Sequence, residues 1–353
     1  MILDITSFGW SGSGAYHDLL REYDDVEFPY KGDWEFDLLW AVDGIYDLEE
    51  KLCHKHCRIY DSDMAISRFL NLVQKYNDND FLGYKNVFGK DVFYNLCKEY
   101  IEDLISIKID GRCFLDIVHP NKKEFFVNIY NGIIKKILCN RISKTFGLRK
   151  LCDKMMIYNS HLMRVSYNPD NFLEKTQNLL NKLFRIMRKN PEKTLVMDQM
   201  FPPDIPTMFR KYVQEDHKLI IVRRDPRDTY LAMQKMSSFP YPIPRNAKDF
   251  IWFYKKIVMN SIFDSSPDIL SIHFEDLIYE YEQTVKKLEC FLGLKKHVRP
   301  YSNFNPEISK NNTQLFSLYP EYSSDIKLIE KELTNYLYPF DRYSFQRSSN
   351  TIF

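Results

Sequence analysis

The chain has 353 residues, and its 49 lysines and arginines nearly balance its 48 aspartates and glutamates, for a net charge of +1. That balance argues against a nucleic-acid binder, so any phosphate recognition must come from local arginine clusters. With 44% hydrophobic residues the chain can bury a large core. It has no run of 18 apolar residues and opens directly into a strand, so we expect a cytoplasmic protein without a transmembrane segment. Seven cysteines without framework spacing agree with a reducing compartment.

The first motif is a strand, a glycine- and serine-rich loop and a helix at the amino terminus. Met1–Ser7 has the pattern of a strand, Gly9–Gly14 reads GWSGSG, and Ala15–Tyr23 has helical spacing. In this order the loop and the start of the helix direct their N–H groups at one point, where the helix dipole also favours negative charge. The arrangement predicts a phosphate-binding loop.

This loop differs from that of ATP-hydrolysing P-loop proteins. Its glycines have the P-loop spacing, but Ala15 and Tyr16 stand where a lysine and a serine or threonine would contact phosphate and Mg²⁺. An ATP-dependent phosphotransferase is therefore disfavoured and stays open only as a lesser alternative.

The middle of the chain, roughly residues 47–189, reads as a mainly helical insertion. Amphipathic runs follow Asp61, Asp91 and Asn168. Near its start, Cys53-His54-Lys55-His56-Cys57 offers four zinc-ligand side chains. The cluster is compact and lacks a second ligand pair, so we expect a helix here and no metal site.

An arginine-rich turn follows the most apolar strand of the sequence. Leu219–Val222 is a short buried-strand run, and Arg223, Arg224 and Arg227 come directly after it. Ligands of parallel sheets bind at the carboxyl ends of the strands, and guanidinium groups grip phosphate in bidentate fashion. The turn predicts an anion site. The alternative that stays open is an ordinary helix start in which Asp225 and Asp228 neutralise the arginines.

Two further segments complete the pattern. Ser271–Leu294, SIHFEDLIYEYEQTVKKLECFLGL, predicts a strand, a turn at Glu275-Asp276 and a helix that Gly293 ends. Asn305–Thr313, NPEISKNNT, is polar and predicts a loop.

Together these segments resemble the sulfotransferases that use 3′-phosphoadenosine 5′-phosphosulfate (PAPS), of the bacterial carbohydrate type. The Ser11-Gly12-Ser13 stretch is similar to the first loop of that family, and Arg224–Asp228 is similar to its R-[ND]-P-R-D turn. The strand, Glu-Asp-Leu turn and Phe-Leu-Gly ending of Ser271–Leu294 also match, as does the polar loop that closes over the nucleotide. The resemblance covers about the first 20 residues and roughly residues 195–340.

The resemblance implies an α/β fold with a P-loop-like three-layer core, in which a parallel sheet is flanked by helices. It implies one domain over residues 1–340, carrying the helical insertion, with a flexible tail at 341–353. The implied activity moves a sulfuryl group from PAPS to a hydroxyl or amine of an acceptor such as a glycan or glycolipid precursor, and leaves 3′-phosphoadenosine 5′-phosphate (PAP). The implied donor-binding residues are Trp10, Ser11, Gly12, Ser13, Gly14, Ala15, Arg224, Arg227, Ala232, Ser309 and Lys310.

Two positions depart from the family pattern. Trp10 replaces the loop lysine that commonly assists the departing phosphate, and Ala232 replaces a serine that contacts the 3′-phosphate. Ser309 or Lys310 is the candidate for compensating the lost contact. These departures keep open the alternative of a nucleotide-binding or interaction protein without catalysis.

The transfer needs a base to take the acceptor proton, and it implies no metal or redox cofactor. Asp198 is the first candidate because it follows the predicted strand Thr194–Met197 and would lie at a strand carboxyl end. His119 is the second, since His titrates near neutral pH. Each also fits a structural role in a turn, and His17 in the first helix fits a solvated or core position better than a contact to sulfate.

Overall fold

The computed structural model describes residues 1–32, 34–55, 61–111, 122–136, 154–156, 161–236, 243–258, 261, 266–295 and 297–344. Three sets of predicted features therefore lie outside the described residues: His119, the His56 and Cys57 end of the cysteine-histidine cluster, and residues 345–353 of the tail.

The protein is an α/β structure built on a five-stranded parallel sheet. The strands are β1 (Ile2–Ser7), β2 (Val26–Glu27), β3 (Ile107–Gly111), β4 (His161–Val165), β5 (Thr194–Asp198), β6 (His217–Arg223) and β7 (Ile269–His273). Five of them form the sheet in the order β2-β5-β1-β6-β7, and every neighbouring pair is parallel. The other two strands, β3 and β4, form a separate antiparallel ribbon.

Helices connect the strands. They are α1 (Ser13–Leu20), α2 (Ile45–Glu49), α3 (Asp61–Asp78), α4 (Tyr84–Phe88), α5 (Val92–Leu104), α6 (Lys122–Ile134), α7 (Phe172–Met187), α8 (Pro206–Phe209), α9 (Pro226–Met236), α10 (Ala247–Ile257), α11 (Asp276–Tyr279), α12 (Tyr281–Leu292), α13 (Pro306–Ser309) and α14 (Ser323–Glu332). Short 3₁₀ turns include Lys310–Asn312 and Phe340–Arg342.

The amino-terminal strand β1 lies in the centre of the sheet. Ile5 is beside Asp198 of β5 on one side and beside Ile220 of β6 on the other, while Arg223 of β6 is beside His273 of β7. The carboxyl ends of these strands therefore meet at one edge, which is the edge that the sequence predicted for ligand binding.

Every residue of β1 is buried, including the polar Asp4. Its carboxylate accepts hydrogen bonds from the backbone N–H groups of Met200 and Phe201, each at 2.9 Å. Burial raises the pKa of Asp4 well above its ordinary value, although these two bonds oppose the shift. Asp4 thereby ties the turn after β5 to the centre of the sheet.

In the described part of the chain, apolar clusters of buried side chains hold the layers together, and two of them involve the sheet and the helices beside it. In the first, α1 and α12 pack on one face of the sheet, against the side chains of Leu3, Ile5, Val196, Ile220, Val222 and Ile272. The second lies among α9, α10 and α14 and contains Tyr230, Ala232 and Phe250. Both clusters arise from the amphipathic spacing of these helices.

The chain divides into two compact units. One comprises residues 1–42, 75–93 and 176–353 and contains the sheet; the other comprises 43–74 and 94–175. The second unit contains the β3–β4 ribbon, which the prediction of a mainly helical insertion over 47–189 did not include. The ribbon pairs residues fifty or more positions apart, and sequence spacing carries no signal for such pairing.

Two observations concern the chain's surface and its end. No helix in the described part of the chain has both the length and the apolarity needed to cross a bilayer. Residues 341–344 are the described start of the predicted tail. Within them, the hydroxyl of Tyr343 donates a hydrogen bond to the carboxylate of Glu280, the residue just before α12.

Glu22, just after α1, fastens a distant segment to that helix. Its buried carboxylate accepts hydrogen bonds from the backbone N–H groups of Asn303 (2.7 Å), Phe304 (2.9 Å) and Tyr301 (3.2 Å), and it also pairs with the His297 ring. The Glu22 carboxylate is thus the shared hydrogen-bond acceptor that holds residues 297–304 beside α1.

We expect Glu22→Ala to lower the free energy of unfolding by about 2 to 4 kcal/mol, because it leaves several backbone donors without an acceptor. Urea denaturation would measure the change. Glu282→Ala, which removes an exposed carboxylate from α12, is the matched control and should change stability by less than about 0.5 kcal/mol. Equal effects of the two substitutions would contradict the assigned role of Glu22.

Candidate functional site

The loop between β1 and α1 is bent by three residues in the left-handed backbone region. Gly9 has φ 76°, Trp10 φ 52° and Gly12 φ 79°. Gly12 is the residue before the first turn of α1, and no side chain of the described residues caps that turn. The Ala15 N–H donates to the Gly12 carbonyl at 3.2 Å, which leaves the N–H groups of Ser13 and Gly14 at the helix start to face an anion.

The serines of the loop hold its shape. The Ser11 hydroxyl donates to the Gly9 carbonyl at 3.2 Å, and the Ser7 hydroxyl donates to the Ser13 oxygen at 3.2 Å. Ser11 is buried, with 3% of its surface exposed. These contacts assign Ser11 and Ser13 at least a scaffolding role in the loop.

Gly12 lies directly against the ring of Phe274, which follows β7. A Cβ atom at Gly12 would lie 2.5 Å from Phe274 Cδ2, so any side chain at this position would clash. Gly12 thus has two reasons to be glycine: its positive φ and this close approach.

Arg224, just beyond β6, joins the loop to two other segments. One terminal nitrogen donates to the Trp10 carbonyl at 2.9 Å, and the other donates to the Asn312 carbonyl. The guanidinium carbon lies 5.1 Å from the centre of the Phe274 ring. The glycine-serine loop and the arginine turn therefore converge, although more than two hundred residues separate them.

A cleft of about 670 Å³ opens beside this junction. Its volume suits a nucleotide-sized ligand. Three aromatic side chains contribute to its wall, and the other lining residues are mostly small or polar. The full lining consists of Gly12, Gly14, Ala15, Asp18, Arg224, Phe274, Tyr301, Ser302, Asn303, Phe304, Asn305, Ile308, Ser309, Asn311 and Asn312.

The predicted donor-binding residues divide into two groups. Gly12, Gly14, Ala15, Arg224 and Ser309 line the cleft, whereas Trp10, Ser11, Ser13, Arg227, Ala232 and Lys310 are not among its lining residues. Ala232 is fully buried in the cluster around α9 and α10, and the side chain of Trp10 packs against that cluster. Lys310 begins the turn that presents Asn312 to Arg224.

The contacts of Arg227 agree with the alternative interpretation of the arginine turn, in which carboxylates neutralise the arginines. Its guanidinium donates to both oxygens of Asp225, at 3.0 and 2.8 Å, and to Glu330 at 3.0 Å. The rings of Phe316 and Phe340 lie 4.2 and 5.6 Å from its guanidinium carbon. These partners account for the charge of Arg227 without a ligand.

Buried carboxyl groups surround the arginine turn. Asp228 accepts from the N–H groups of Gln314 and Leu315, each at 2.7 Å, and Glu275 accepts from the Asp225 N–H at 2.9 Å. Burial raises the pKa of Asp228 to about 7, and the neighbouring Asp225 adds to the shift. Burial, with the charges of Asp225 and Asp228, also raises the pKa of Glu275 well above its usual value.

Asp198 lies at the end of β5, on the face that packs against α1. Its Oδ1 is 3.4 Å from Nε2 of His17 in α1, and both side chains are largely buried. Asp198 is not among the residues that line the cleft. Strand pairing puts it level with Ile220, which precedes Arg224 by four residues. At about 3.3 Å per residue, Asp198 and Arg224 are therefore about 13 Å apart along the strand direction. The next residue, Gln199, bridges the hydroxyls of Thr6 and Ser7 in β1 at 2.8 and 3.2 Å.

Sequence reasoning missed three contributors to this site. It did not predict the Phe274 ring under Gly12, the Asn312 carbonyl at Arg224 or the position of His17 beside Asp198. A signal existed for His17, because Val196 and Asp198 alternate onto one face of β5 and that face packs against α1. No signal in the sequence alone placed Phe274 or Asn312.

Within the described ranges of the chain, no three His, Cys, Asp or Glu side chains come together in a group that could hold a metal ion.

Comparisons with known proteins add little to this geometry. No family model matches the chain, and no curated protein matches it. Among solved structures, it is similar to a sulfotransferase domain from the curacin biosynthetic pathway, with 13% identity, a TM-score of 0.37 and coverage of 94% of this chain and 97% of that one. It is also similar to a sulfotransferase domain from the Synechococcus PCC 7002 olefin synthase, with 10% identity, a TM-score of 0.37 and coverage of 85% and 77%. The fold rests on the strand order and the contacts described above.

We expect Gly12→Ala to lower the free energy of unfolding by about 2 to 4 kcal/mol, because the new methyl group meets Phe274 and the backbone keeps a positive φ. Gly14→Ala is the matched control two residues away. A Cβ there has no neighbour within 4 Å and the residue is helical, so stability should stay the same or rise by about 0.5 to 1 kcal/mol. Urea denaturation of both variants tests the pair, and equal stabilities would contradict the assigned packing.

Proposed function

We propose that this chain is a sulfotransferase that moves the sulfuryl group of PAPS to a hydroxyl or amine of an acceptor. The observation that carries the proposal is the contact between Arg224 and the Trp10 carbonyl, which brings two predicted anion sites to one cleft. A nucleotide with a phosphosulfate on one side and a separate phosphate on the other needs two such sites. The residue matches to the sulfotransferase family supply the identity of the donor.

The residues of the cleft fit a donor of this kind. The loop N–H groups and the start of α1 would hold the phosphosulfate, and Arg224 would hold the second phosphate through donors beyond the two that bind carbonyls. The cleft wall offers Phe274, Tyr301 and Phe304 to a planar base. Ala15 and Tyr16 stand where P-loop proteins have the lysine that contacts the ATP phosphates and the serine or threonine that binds Mg²⁺. This replacement disfavours a phosphotransferase.

The direction of transfer suggests where the acceptor binds. In an in-line displacement the attacking atom approaches from the side opposite the leaving group. The cleft lies on the β6 and β7 side of the loop, so the acceptor would approach from the β5 side, where Asp198 and His17 lie. We propose that this pair accepts the proton of the acceptor, with Asp198 orienting the His17 ring. The glycan or glycolipid class of acceptor follows from the family resemblance alone.

One observation favours a second candidate function. Trp10 stands at the position of the family's loop lysine, and its side chain packs in the cluster around α9 and α10. Among the described residues that line the cleft, Arg224 is the only lysine or arginine. A nucleotide-binding protein with little or no turnover would have this loop, and it would bind PAP without consuming PAPS.

Arg224 provides the test of the nucleotide site. We expect Arg224→Ala to weaken PAP binding by ~10- to 150-fold, because it removes a charged hydrogen bond worth about 1.5 to 3 kcal/mol. Arg223→Ala is the matched control, since the adjacent arginine does not line the cleft and its loss should leave the affinity unchanged. Calorimetric titration with PAP and with ATP measures both. Tight binding of ATP with no response to PAP would overturn the proposed donor.

The base is tested separately. Asp198→Asn and His17→Gln should each lower the consumption of radiolabelled PAPS, measured with a glycan panel, by about 10²- to 10⁴-fold while PAP affinity stays the same. Full turnover in either variant would remove that residue from the chemistry. Tight PAP binding with no turnover of the unmodified protein would instead favour the second candidate function.

A further inference from the structure

Helix α6 presents a row of large apolar side chains to solvent. Phe125, Ile129 and Ile133 follow one another at four-residue spacing, with exposed fractions of 52, 44 and 52%. Phe126 and Tyr130 form the adjacent row, and Phe126 has 69% of its surface exposed. Two adjacent rows of this kind make a continuous apolar stripe along one side of the helix. Such stripes on the surface of a folded protein mark interaction sites.

Lysines stand at both ends of this stripe. Lys122 begins the row of Phe126 and Tyr130, and Lys136 follows Ile133 by three residues; both are exposed. Glu124 is the one acidic residue in the sequence of α6. The surrounding sequence has the same bias, because residues 122–154 contain nine lysines and arginines against two acidic residues in a chain of net charge +1.

The lysines at the ends of the stripe indicate which kind of partner would bind it. A second copy of the helix would bring lysine ends against lysine ends, in a parallel or an antiparallel arrangement, and the stripe itself offers no acid to pair with them. An anionic lipid surface satisfies both features, because its acyl region takes the apolar rings and its headgroups pair with the lysines.

We propose that α6 is an interfacial helix that binds an anionic membrane surface through Phe125, Phe126, Ile129 and Ile133, with Lys122 and Lys136 contacting the headgroups. The helix lies in the plane of the interface. The inference does not depend on the sulfotransferase proposal, because no residue of α6 is among those that line the cleft.

Sedimentation with vesicles tests this binding. The full chain should bind vesicles of phosphatidylcholine with phosphatidylglycerol and should bind pure phosphatidylcholine vesicles far more weakly. Phe126→Ser combined with Ile129→Ser should reduce binding by more than about tenfold, because two large apolar side chains no longer enter the interface. Lys122→Glu with Lys136→Glu should also reduce it, and high salt should do the same to the unmodified protein.

Trp252→Ser is the matched control, because it removes an exposed aromatic side chain from α10, and it should bind vesicles like the unmodified protein. Circular dichroism would verify that each variant is folded. Absence of binding to anionic vesicles, or binding that the α6 variants leave unchanged, would overturn the proposal. So would a dimer, seen by light scattering, that the Phe126→Ser, Ile129→Ser variant abolishes.

Discussion

The geometry of the candidate site depends on the contacts that the guanidinium group of Arg224 makes. It donates to one carbonyl of the amino-terminal loop and to one of the Lys310–Asn312 turn, and it lies near the ring of Phe274. Three segments from distant parts of the sequence are therefore fixed by a single side chain that is 4% exposed. A buried cation is tolerated only where carbonyls and carboxylates surround it. The cleft has a defined shape because those partners are in place.

The carboxyl groups behind Arg224 explain how two arginines can lie so close together. Asp225 pairs with Arg227 in bidentate geometry and also accepts from the Tyr338 N–H, while Asp228 binds the backbone at Gln314 and Leu315. Asp228 therefore anchors the chain just after the turn that meets Arg224. Burial is the main cause of the raised pKa values of Asp228 and Glu275; the neighbouring carboxylates add to the shift, and Arg224 opposes it. Arg227 therefore pairs with the carboxylates, whereas Arg224 lines the cleft.

Much of the fold could be predicted from the sequence because its signals are local. The strand pattern of Met1–Ser7 indicated β1, a continuous apolar run indicated β6, and Gly293 marked the end of α12, where it has φ 68°. The convergence of the loop and Arg224 followed from a general rule about parallel strands. Long-range details could not be predicted in this way. The different fates of Arg224 and Arg227 depend on Glu330 and Asn312, about a hundred residues away. The position of Asp198 beside His17, away from the cleft, depends on strand register and on which face α1 covers.

The central place of β1 has a consequence for how the molecule is made. Its partners β5 and β6 begin at Thr194 and His217, so a long stretch of chain separates β1 from both neighbours and it is synthesised well before either of them. Closing loops of this length is slow, and an unpaired apolar strand is prone to aggregate in the meantime. Until then Ile2–Ser7 has neither of its native partners, and association with another unpaired strand in that interval would lead to aggregation.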